Sequence, residues 1–340
     1  MGKIVEKSVL FEEVLVELKE FAALQKCDTE YLERMLRYHN ENIFGGILYL
    51  DLFKALAPPS RQTDEYYQLV VYLDLIVHMG NIALVFLDDL LDGDDIRFKK
   101  TCWYKIVGYG AAANDAVIII VSLFIVLKNH FSHLDCYSKL SEVLAESYFH
   151  ISLGQQLDTK FASASFDDFT EENYDILLMS KSSCTFAIII RGILCLAGVE
   201  DLTVIKKATD FFNDLGRLAQ SQNDFWDCFD YMGSEVKTGT DISTRKCSWL
   251  SVQCIKLATP QQRAIFNENY GKKDPECVAR IRALYNEMNL QQVYNKFLKD
   301  SYENLCEQNP FGSDKCAKES QKKVLESFFG KDFAHGKFLR

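Results

Sequence analysis

The sequence predicts an all-α protein, built as a single domain of about ten helices. Apolar residues recur at three- and four-residue spacing through most of the 340 residues, which is the period of a helix. The chain has only 17 Gly and 5 Pro, so long stretches lack the residues that are costly inside a helix. No alternating β-branched run between turn residues suggests a strand.

The apolar segments that predict the helices follow one another along residues 1–340 with short polar breaks. Segments of this length that are apolar over much of their circumference are typical of helices buried inside a bundle. The segments are Val9–Leu24, Leu32–Leu56, Leu69–Leu91, Ala112–Leu127, Leu140–Leu157, Ile176–Leu196, Val204–Phe229, Ser248–Leu257 and Ala279–Leu305. The breaks at Ala57–Ser60, Asn129–Asp135, Ser163–Asp168 and Gly233–Asp241 have neither the length nor the composition of a domain linker.

Charge and cysteine usage limit the partners and the compartment. The net charge of −10 argues against nucleic acid, whose phosphates require a basic surface. The 11 cysteines are scattered without a CxxC pair, which suggests reduced thiols in a cytoplasmic protein. The acidic amphipathic amino terminus is unlike a targeting peptide. The uncharged stretch between Asp115 and Lys128 is shorter than the roughly 20 residues that span a membrane, so we expect no membrane span.

The first concentration of carboxylates is Asp88-Asp89-Leu90-Leu91-Asp92, at the end of an apolar segment. On a helix, Asp88 and Asp92 are four residues apart and share a face. An oxygen-seeking cation such as Mg²⁺ would relieve their repulsion. The alternative is a solvated helix end with Gly93 as its C-cap.

A second concentration makes the metal interpretation stronger. Asn223 and Asp227 again place oxygen ligands at positions i and i+4 near the end of an apolar segment. Two such helix ends facing each other would form a mouth suited to Mg²⁺ and a diphosphate, because Mg²⁺ prefers one or two carboxylates plus substrate phosphate oxygens. A binuclear carboxylate oxidase would need Glu-x-x-His pairs, and the sequence has none.

These motifs and several others resemble the farnesyl diphosphate synthases of animals, from about residue 35 to about residue 310. The first Asp-rich motif of that family is DDxxD, and Asn223 to Asp227 lies where its second belongs. The further matching stretches are Gly154-Gln155-Gln156-Leu157-Asp158, Lys181-Ser182, Lys237-Thr238-Gly239-Thr240-Asp241-Ile242 and Lys246-Cys247-Ser248-Trp249-Leu250. The resemblance implies an all-α isoprenoid synthase bundle around a central cavity, usually a homodimer. It also implies three Mg²⁺ ions, for which Mn²⁺ can substitute.

The resemblance also implies the residues of an allylic diphosphate site. It assigns the metal ligands to Asp88, Asp92, Asn223 and Asp227, with Asn223 replacing an Asp of the family. The catalytic set is Asp88, Asp92, Arg97, Lys181 and Lys237, of which the three cations hold the allylic diphosphate. Asp158 and Gln220 line the same site, and Ala83 and Leu84 form the floor of the chain-length pocket.

The sequence departs from the family where the second substrate, isopentenyl diphosphate, binds. The family has Gly-Gly-Lys-x-x-Arg, but here Ile47 and Leu50 follow Gly45-Gly46. The second Arg of a family Arg-Arg pair is Phe98, and a family Gln is Asn81. A diphosphate among aliphatic side chains would lack charged partners and be costly to desolvate.

These departures predict an enzyme that binds one diphosphate. We therefore expect a Mg²⁺-dependent terpene synthase that converts an allylic diphosphate, with farnesyl diphosphate as the favoured substrate, to a sesquiterpene. Such an enzyme would be similar to the insect terpene synthases derived from prenyl diphosphate synthases. The alternatives are a trans-prenyltransferase whose isopentenyl site uses other residues, and a catalytically silent regulatory subunit.

Overall fold

A computed structural model of the chain describes residues 6–38, 40, 47–229, 240–312 and 315–330. This part is almost entirely helical, which confirms the all-α prediction. The helices are α1 (Lys7–Leu24), α2 (Thr29–Arg37), α3 (Ile47–Leu56), α4 (Asp64–Asp92), α5 (Trp103–Val107), α6 (Tyr109–Phe131), α7 (Tyr137–Phe161), α8 (Glu171–Leu178), α9 (Cys184–Ala197), α10 (Leu202–Phe229), α11 (Trp249–Leu257), α12 (Pro260–Asn269), α13 (Pro275–Glu287), α14 (Leu290–Glu307) and α15 (Lys315–Phe329). Short 3₁₀ turns occupy Pro59–Arg61 and Phe166–Asp168, and a π-helical turn occupies Met179–Ser183.

The chain divides into two compact units. The first unit comprises residues 1–146, 188–208 and 311–320, and the second comprises residues 147–187, 209–310 and 321–340. Helices α7, α9, α10 and α15 contribute residues to both units. The expectation of a single domain stays a prediction.

The first unit is organised around α4, which is buried over most of its circumference and packs against α1, α3, α5 and α6. The Thr63 hydroxyl accepts a hydrogen bond from the Tyr66 backbone N–H at the start of α4. Gly93 ends the helix in the left-handed conformation, with φ of 73°, which a residue with a Cβ adopts at a cost. The predicted glycine cap is therefore present, and it ends α4 directly after Asp92.

A two-stranded hairpin follows α4, and the sequence analysis did not predict it. Strand β1 (Ile96–Arg97) pairs antiparallel with β2 (Lys100–Thr101), and Arg97 lies opposite Lys100. The turn residues Phe98 and Lys99 both have positive φ, 53° and 62°. Turns of this kind are usually built from Gly, Asn or Asp. Strands of two residues are also too short to show an alternation of apolar and polar residues. The sequence therefore contains neither the usual turn residues nor a strand pattern at the hairpin.

The second unit has a core of stacked aromatic rings between α10, α11 and α14. The rings of Phe225 and Tyr294 stack with centroids 4.2 Å apart, and Trp249 meets Tyr294 edge-on at 5.0 Å. Such contacts add about 0.5–1.5 kcal/mol per pair to the burial of the rings. The predicted segment Ala279–Leu305 is two helices, because Asn289 takes a left-handed conformation between α13 and α14.

Three helical segments in the described ranges are long and apolar enough to cross a membrane, judged by length and composition alone. They are Asp64–Asp92, Tyr109–Phe131 and Glu171–Ala197. The most apolar windows of these segments are 83%, 44% and 50% buried inside the protein. The expectation of no membrane span stays a prediction, as does the cytoplasmic location. The cysteine side chains that are described are unbridged.

Candidate active site

One group of predicted site residues lies in the first unit, at the end of α4 and in the hairpin that follows it. Arg97 donates from Nη2 to Asp88 Oδ2 at 2.8 Å and from Nε to Asp89 Oδ1 at 2.6 Å. A weaker contact joins Nη2 to Asp94 Oδ2 at 3.2 Å. The structure therefore brings Asp88 and Arg97 together, and it adds two carboxylates that the sequence analysis did not assign.

Burial and charge act against each other at this cluster. Burial by itself would lower the pKa of Arg97, but Asp88, Asp89 and Asp94 hold it above its ordinary value. Burial raises the pKa of Asp89 although the Arg97 guanidinium opposes this. Arg97 thus stays charged. The three carboxylates beside it belong to Asp88, Asp89 and Asp94, at the end of α4 and directly after it.

The other predicted residues of the first unit lie on α3, α4 and the hairpin. Asp92, Leu84 and Asn81 are half-buried on α4, and Ala83 is fully buried there. Leu50 is half-buried on α3 and Phe98 is half-buried in the hairpin turn. Gly45, Gly46 and the side chain of Ile47 lie outside the described residues. The role of each of these positions stays a prediction.

The second unit carries another group of predicted site residues, where two lysines converge on one carboxylate. Lys181 Nζ donates to Asp158 Oδ2 at 2.8 Å, and Lys246 Nζ donates to the same oxygen at 2.6 Å. Asp158 is only 5% exposed. Burial alone would raise the pKa of Asp158, but the two ammonium groups hold it below its ordinary value.

Two glycines fix the backbone that carries Lys181, which lies in the π-helical turn. A Cβ on Gly154 of α7 would stand 2.6 Å from the Lys181 backbone nitrogen. A Cβ on Gly216 of α10 would stand 2.7 Å from Ser183 Cα. The turn therefore passes within backbone contact of both glycines. π-Helical turns are rare and are frequently found at functional sites.

The second oxygen-ligand motif occupies the end of α10. Asn223 is half-buried, and Asp227 is buried with its oxygens accepting the backbone N–H groups of Thr240 and Asp241 at 3.3 and 3.0 Å. Gln220, one turn earlier, accepts from the Ser182 hydroxyl at 2.8 Å. This bond ties the lysine-bearing turn to α10.

Sequence reasoning missed Lys246 and Asp224 as individual site residues. The signal for Lys246 was its place in the matching stretch beginning Lys246-Cys247, but its partner Asp158 is 88 positions away in sequence. Asp224 is a carboxylate buried between the motif's ligand positions. Lys237 lies outside the described residues.

Both motifs suit Mg²⁺ by the chemistry of their donors, which are carboxylate oxygens and one amide oxygen. No group of three or more His, Cys, Asp or Glu within the described ranges is arranged to hold a metal alone. This fits an ion that takes one or two carboxylates and completes its shell from water and substrate phosphates.

The chain was compared with known proteins. Residues 35–288 match the sequence model of the family named Polyprenyl synthetase. The farnesyl pyrophosphate synthase of Rattus norvegicus is 34% identical over 265 residues, covering 76% of this chain and 75% of the relative. That of Kluyveromyces lactis is 31% identical over 311 residues, covering 88% and 89%. A solved T. brucei farnesyl diphosphate synthase complexed with risedronate superimposes with a TM-score of 0.82 at 23% identity, covering 95% and 98%.

These similarities confirm the farnesyl diphosphate synthase-like family and its all-α fold, and they contradict the terpene synthase prediction. The named relatives are farnesyl pyrophosphate synthases, which favours the prenyltransferase alternative. The features expected with a terpene synthase (a lyase reaction, a sesquiterpene product, an insect origin) have no support. The error came from comparing charges position by position at Ile47, Leu50 and Phe98. An anion site requires positive charge at a place in space, and another residue can supply it.

Proposed function

Because this chain belongs to the polyprenyl synthetase family, we propose that it is a trans-prenyltransferase that joins isopentenyl diphosphate to an allylic diphosphate. Farnesyl diphosphate is the product that the named relatives favour. The proposal is tested by whether the purified protein consumes isopentenyl diphosphate when an allylic diphosphate and Mg²⁺ are supplied.

The observation that carries this proposal is the convergence of Lys181 and Lys246 on the buried Asp158. Each ammonium group has three donors, which lets it bind Asp158 and a phosphate oxygen at the same time. The shared carboxylate keeps the two like charges close together before substrate arrives. We assign this cluster to the allylic diphosphate, with Lys237 as a further cation.

We assign Mg²⁺ binding to two motifs, Asp88 and Asp92 in the first unit, and Asn223 and Asp227 in the second. When bound, Mg²⁺ supplies positive charge to the diphosphate oxygens as the allylic C–O bond breaks. The binding of three ions and the replacement of Mg²⁺ by Mn²⁺ stay predictions.

In the proposed reaction, the allylic C–O bond breaks and its electron pair leaves with the diphosphate. Lys181 and Lys246 stabilise that leaving charge by charge-assisted hydrogen bonds that strengthen as it develops. The double bond of isopentenyl diphosphate then attacks the allylic carbon, and a proton is lost to an oxygen of the released diphosphate. The product keeps the diphosphate of the isopentenyl partner. This chemistry requires a second anion site.

Lys100 is the cation we propose for that second site. It lies opposite Arg97 across the hairpin, two residues beyond Phe98, and its side chain is half-buried. Its Nζ donates to the Tyr38 carbonyl oxygen at 3.0 Å, and Tyr38 follows the end of α2. Lys100 therefore connects the hairpin to the end of α2. It offers the charge that Phe98 lacks.

Lys100→Met is expected to raise the KM for isopentenyl diphosphate about 10- to 100-fold, because one charge-assisted contact worth roughly 1.5–3 kcal/mol is lost. The KM for the allylic diphosphate is expected to stay within about twofold. Steady-state kinetics with each substrate varied in turn measures both values. Lys99→Met is the control, since Lys99 is the exposed neighbour in the same hairpin. Equal changes in the two KM values, or none, would remove Lys100 from the second site.

We also propose that the protein pairs as a homodimer through α6. One face of this helix exposes Val117, Ile118 and Val121, with exposed fractions of 55%, 39% and 55%. An exposed apolar stripe of this kind commonly marks a protein interface.

A further inference from the structure

Asp224 stands between the two proposed ligands of the second motif, yet it is buried and held by three donors. Its Oδ2 accepts from the Tyr174 hydroxyl at 2.6 Å and from the Trp249 backbone N–H at 2.8 Å. Its Oδ1 accepts from Gln220 Nε2 at 2.9 Å. The side chain is 5% exposed. These contacts engage both oxygens of the carboxylate.

The three donors come from three helices of the second unit. Tyr174 belongs to α8, Trp249 is the first residue of α11, and Gln220 lies one turn earlier on α10 itself. The N–H of a first helical residue has no partner within its own helix, and the positive end of the helix dipole favours a carboxylate there. Asp224 therefore fastens the end of α10 to α8 and to the start of α11.

This fastening sets the direction in which the motif's ligands point. Successive residues of a helix are about 100° apart around its axis, so fixing Asp224 fixes the rotation of the last turns of α10. Asn223 and Asp227 then turn together with it. The Tyr174 hydroxyl donates to Asp224 from a side chain outside α10, and it can be removed without altering any backbone.

We propose that Tyr174 is a positioning residue, which acts through Asp224 to orient Asn223 and Asp227 toward the metal and diphosphate. This inference rests on the proposed function, since it requires the second motif to bind Mg²⁺. In this inference Asp224 does not bind the metal. Its carboxylate serves to hold α10 through Tyr174, Trp249 and Gln220.

The test compares Tyr174→Phe with the parent protein, because Phe keeps the ring and removes only the hydroxyl. Thermal unfolding with inorganic diphosphate and a series of Mg²⁺ concentrations measures binding without turnover. We expect Tyr174→Phe to require about tenfold more Mg²⁺ for half of the maximal rise in Tm, as the loss of one bond to a charged group implies. The activity assay is expected to show the same shift in Mg²⁺ dependence, with the KM for isopentenyl diphosphate unchanged.

The matched control is Tyr31→Phe in the first unit. Tyr31 donates to the buried Asp115 at 2.6 Å, and Trp103 Nε1 donates to the same oxygen at 2.8 Å. The two tyrosines thus lose equivalent bonds, and Tyr31→Phe is expected to lower Tm without changing the Mg²⁺ dependence. Equal Mg²⁺ dependence in the two variants would overturn the positioning role.

A second pair of variants keeps the test decisive if Tyr174→Phe folds poorly. Asp224→Asn keeps an oxygen that accepts from Tyr174 and Trp249, whereas Asp224→Ala removes every contact. A positioning role predicts a much smaller shift in Mg²⁺ dependence for Asp224→Asn than for Asp224→Ala, and equal shifts would contradict it. If the parent shows no Mg²⁺-dependent rise in Tm with diphosphate, the metal assignment fails and the inference fails with it. If only the variant comparison fails, the proposed function stands.

Discussion

Asp88→Ala is expected to lower kcat for prenyl diphosphate formation about a hundredfold to a thousandfold. The reason is electrostatic, because Asp88 would hold a Mg²⁺ ion, and losing positive charge beside the leaving diphosphate has effects of this size. The fold should persist, since Arg97 keeps its bonds to Asp89 and Asp94. Steady-state assays at saturating Mg²⁺ measure the loss, and circular dichroism verifies the helices.

The control for Asp88→Ala is Asp95→Ala, three residues beyond the end of α4. Asp95 is largely exposed and forms a surface ion pair with Lys105, so its removal should leave kcat within about twofold. Asp88→Asn, which keeps an oxygen for the Arg97 guanidinium, should be nearly as slow as Asp88→Ala. A fully active Asp88→Asn variant would mean that Asp88 serves only to hold Arg97.

Asp158→Ala is expected to destabilise the protein by about 3–5 kcal/mol, the usual cost of removing one partner from a buried ion pair. Two ammonium groups, Lys181 and Lys246, would then face each other without their shared carboxylate. Urea unfolding at several pH values measures the difference from the parent. Asp300→Ala breaks an exposed pair with Lys296 on α14 and should leave the unfolding free energy within error.

The pH dependence of that difference follows from the lowered pKa of Asp158. In the unfolded chain its carboxyl regains an ordinary pKa near 3.9, so the unfolded state binds the proton more readily. The stabilisation is therefore complete above about pH 5 and is lost as the pH falls through the lower folded value. A difference between parent and Asp158→Ala that grows on acidification would contradict the ion-pair account.

Much of the fold follows from local signals in the sequence. Apolar periodicity predicted α4 and α10, and Gly93 marked the end of α4 at the first motif. The hairpin could not be predicted, because its turn residues Phe98 and Lys99 adopt positive φ although neither is Gly or Asn. The π-helical turn could not be predicted either, because the close approaches of Gly154 and Gly216 to its backbone are tertiary contacts.

The site was predictable to the extent that its parts lie in short motifs. Asp88 and Arg97 are only nine residues apart in sequence, so the end of α4 and the hairpin that follows it bring them together. The contacts of Asp158 with Lys181 and Lys246 span 23 and 88 residues, which no spacing rule covers. The same limit applies to the second anion site, because the lost charge at Phe98 was visible in the sequence, whereas the pairing of Lys100 with Arg97 across the hairpin was not.

The most direct test of the prenyltransferase proposal supplies the unmodified protein with Mg²⁺, geranyl diphosphate and radiolabelled isopentenyl diphosphate. The account predicts that label enters a prenyl diphosphate five carbons longer than the allylic substrate, and that one inorganic diphosphate is released for each label incorporated. Release of inorganic diphosphate from the allylic substrate with no label in any longer product would contradict it.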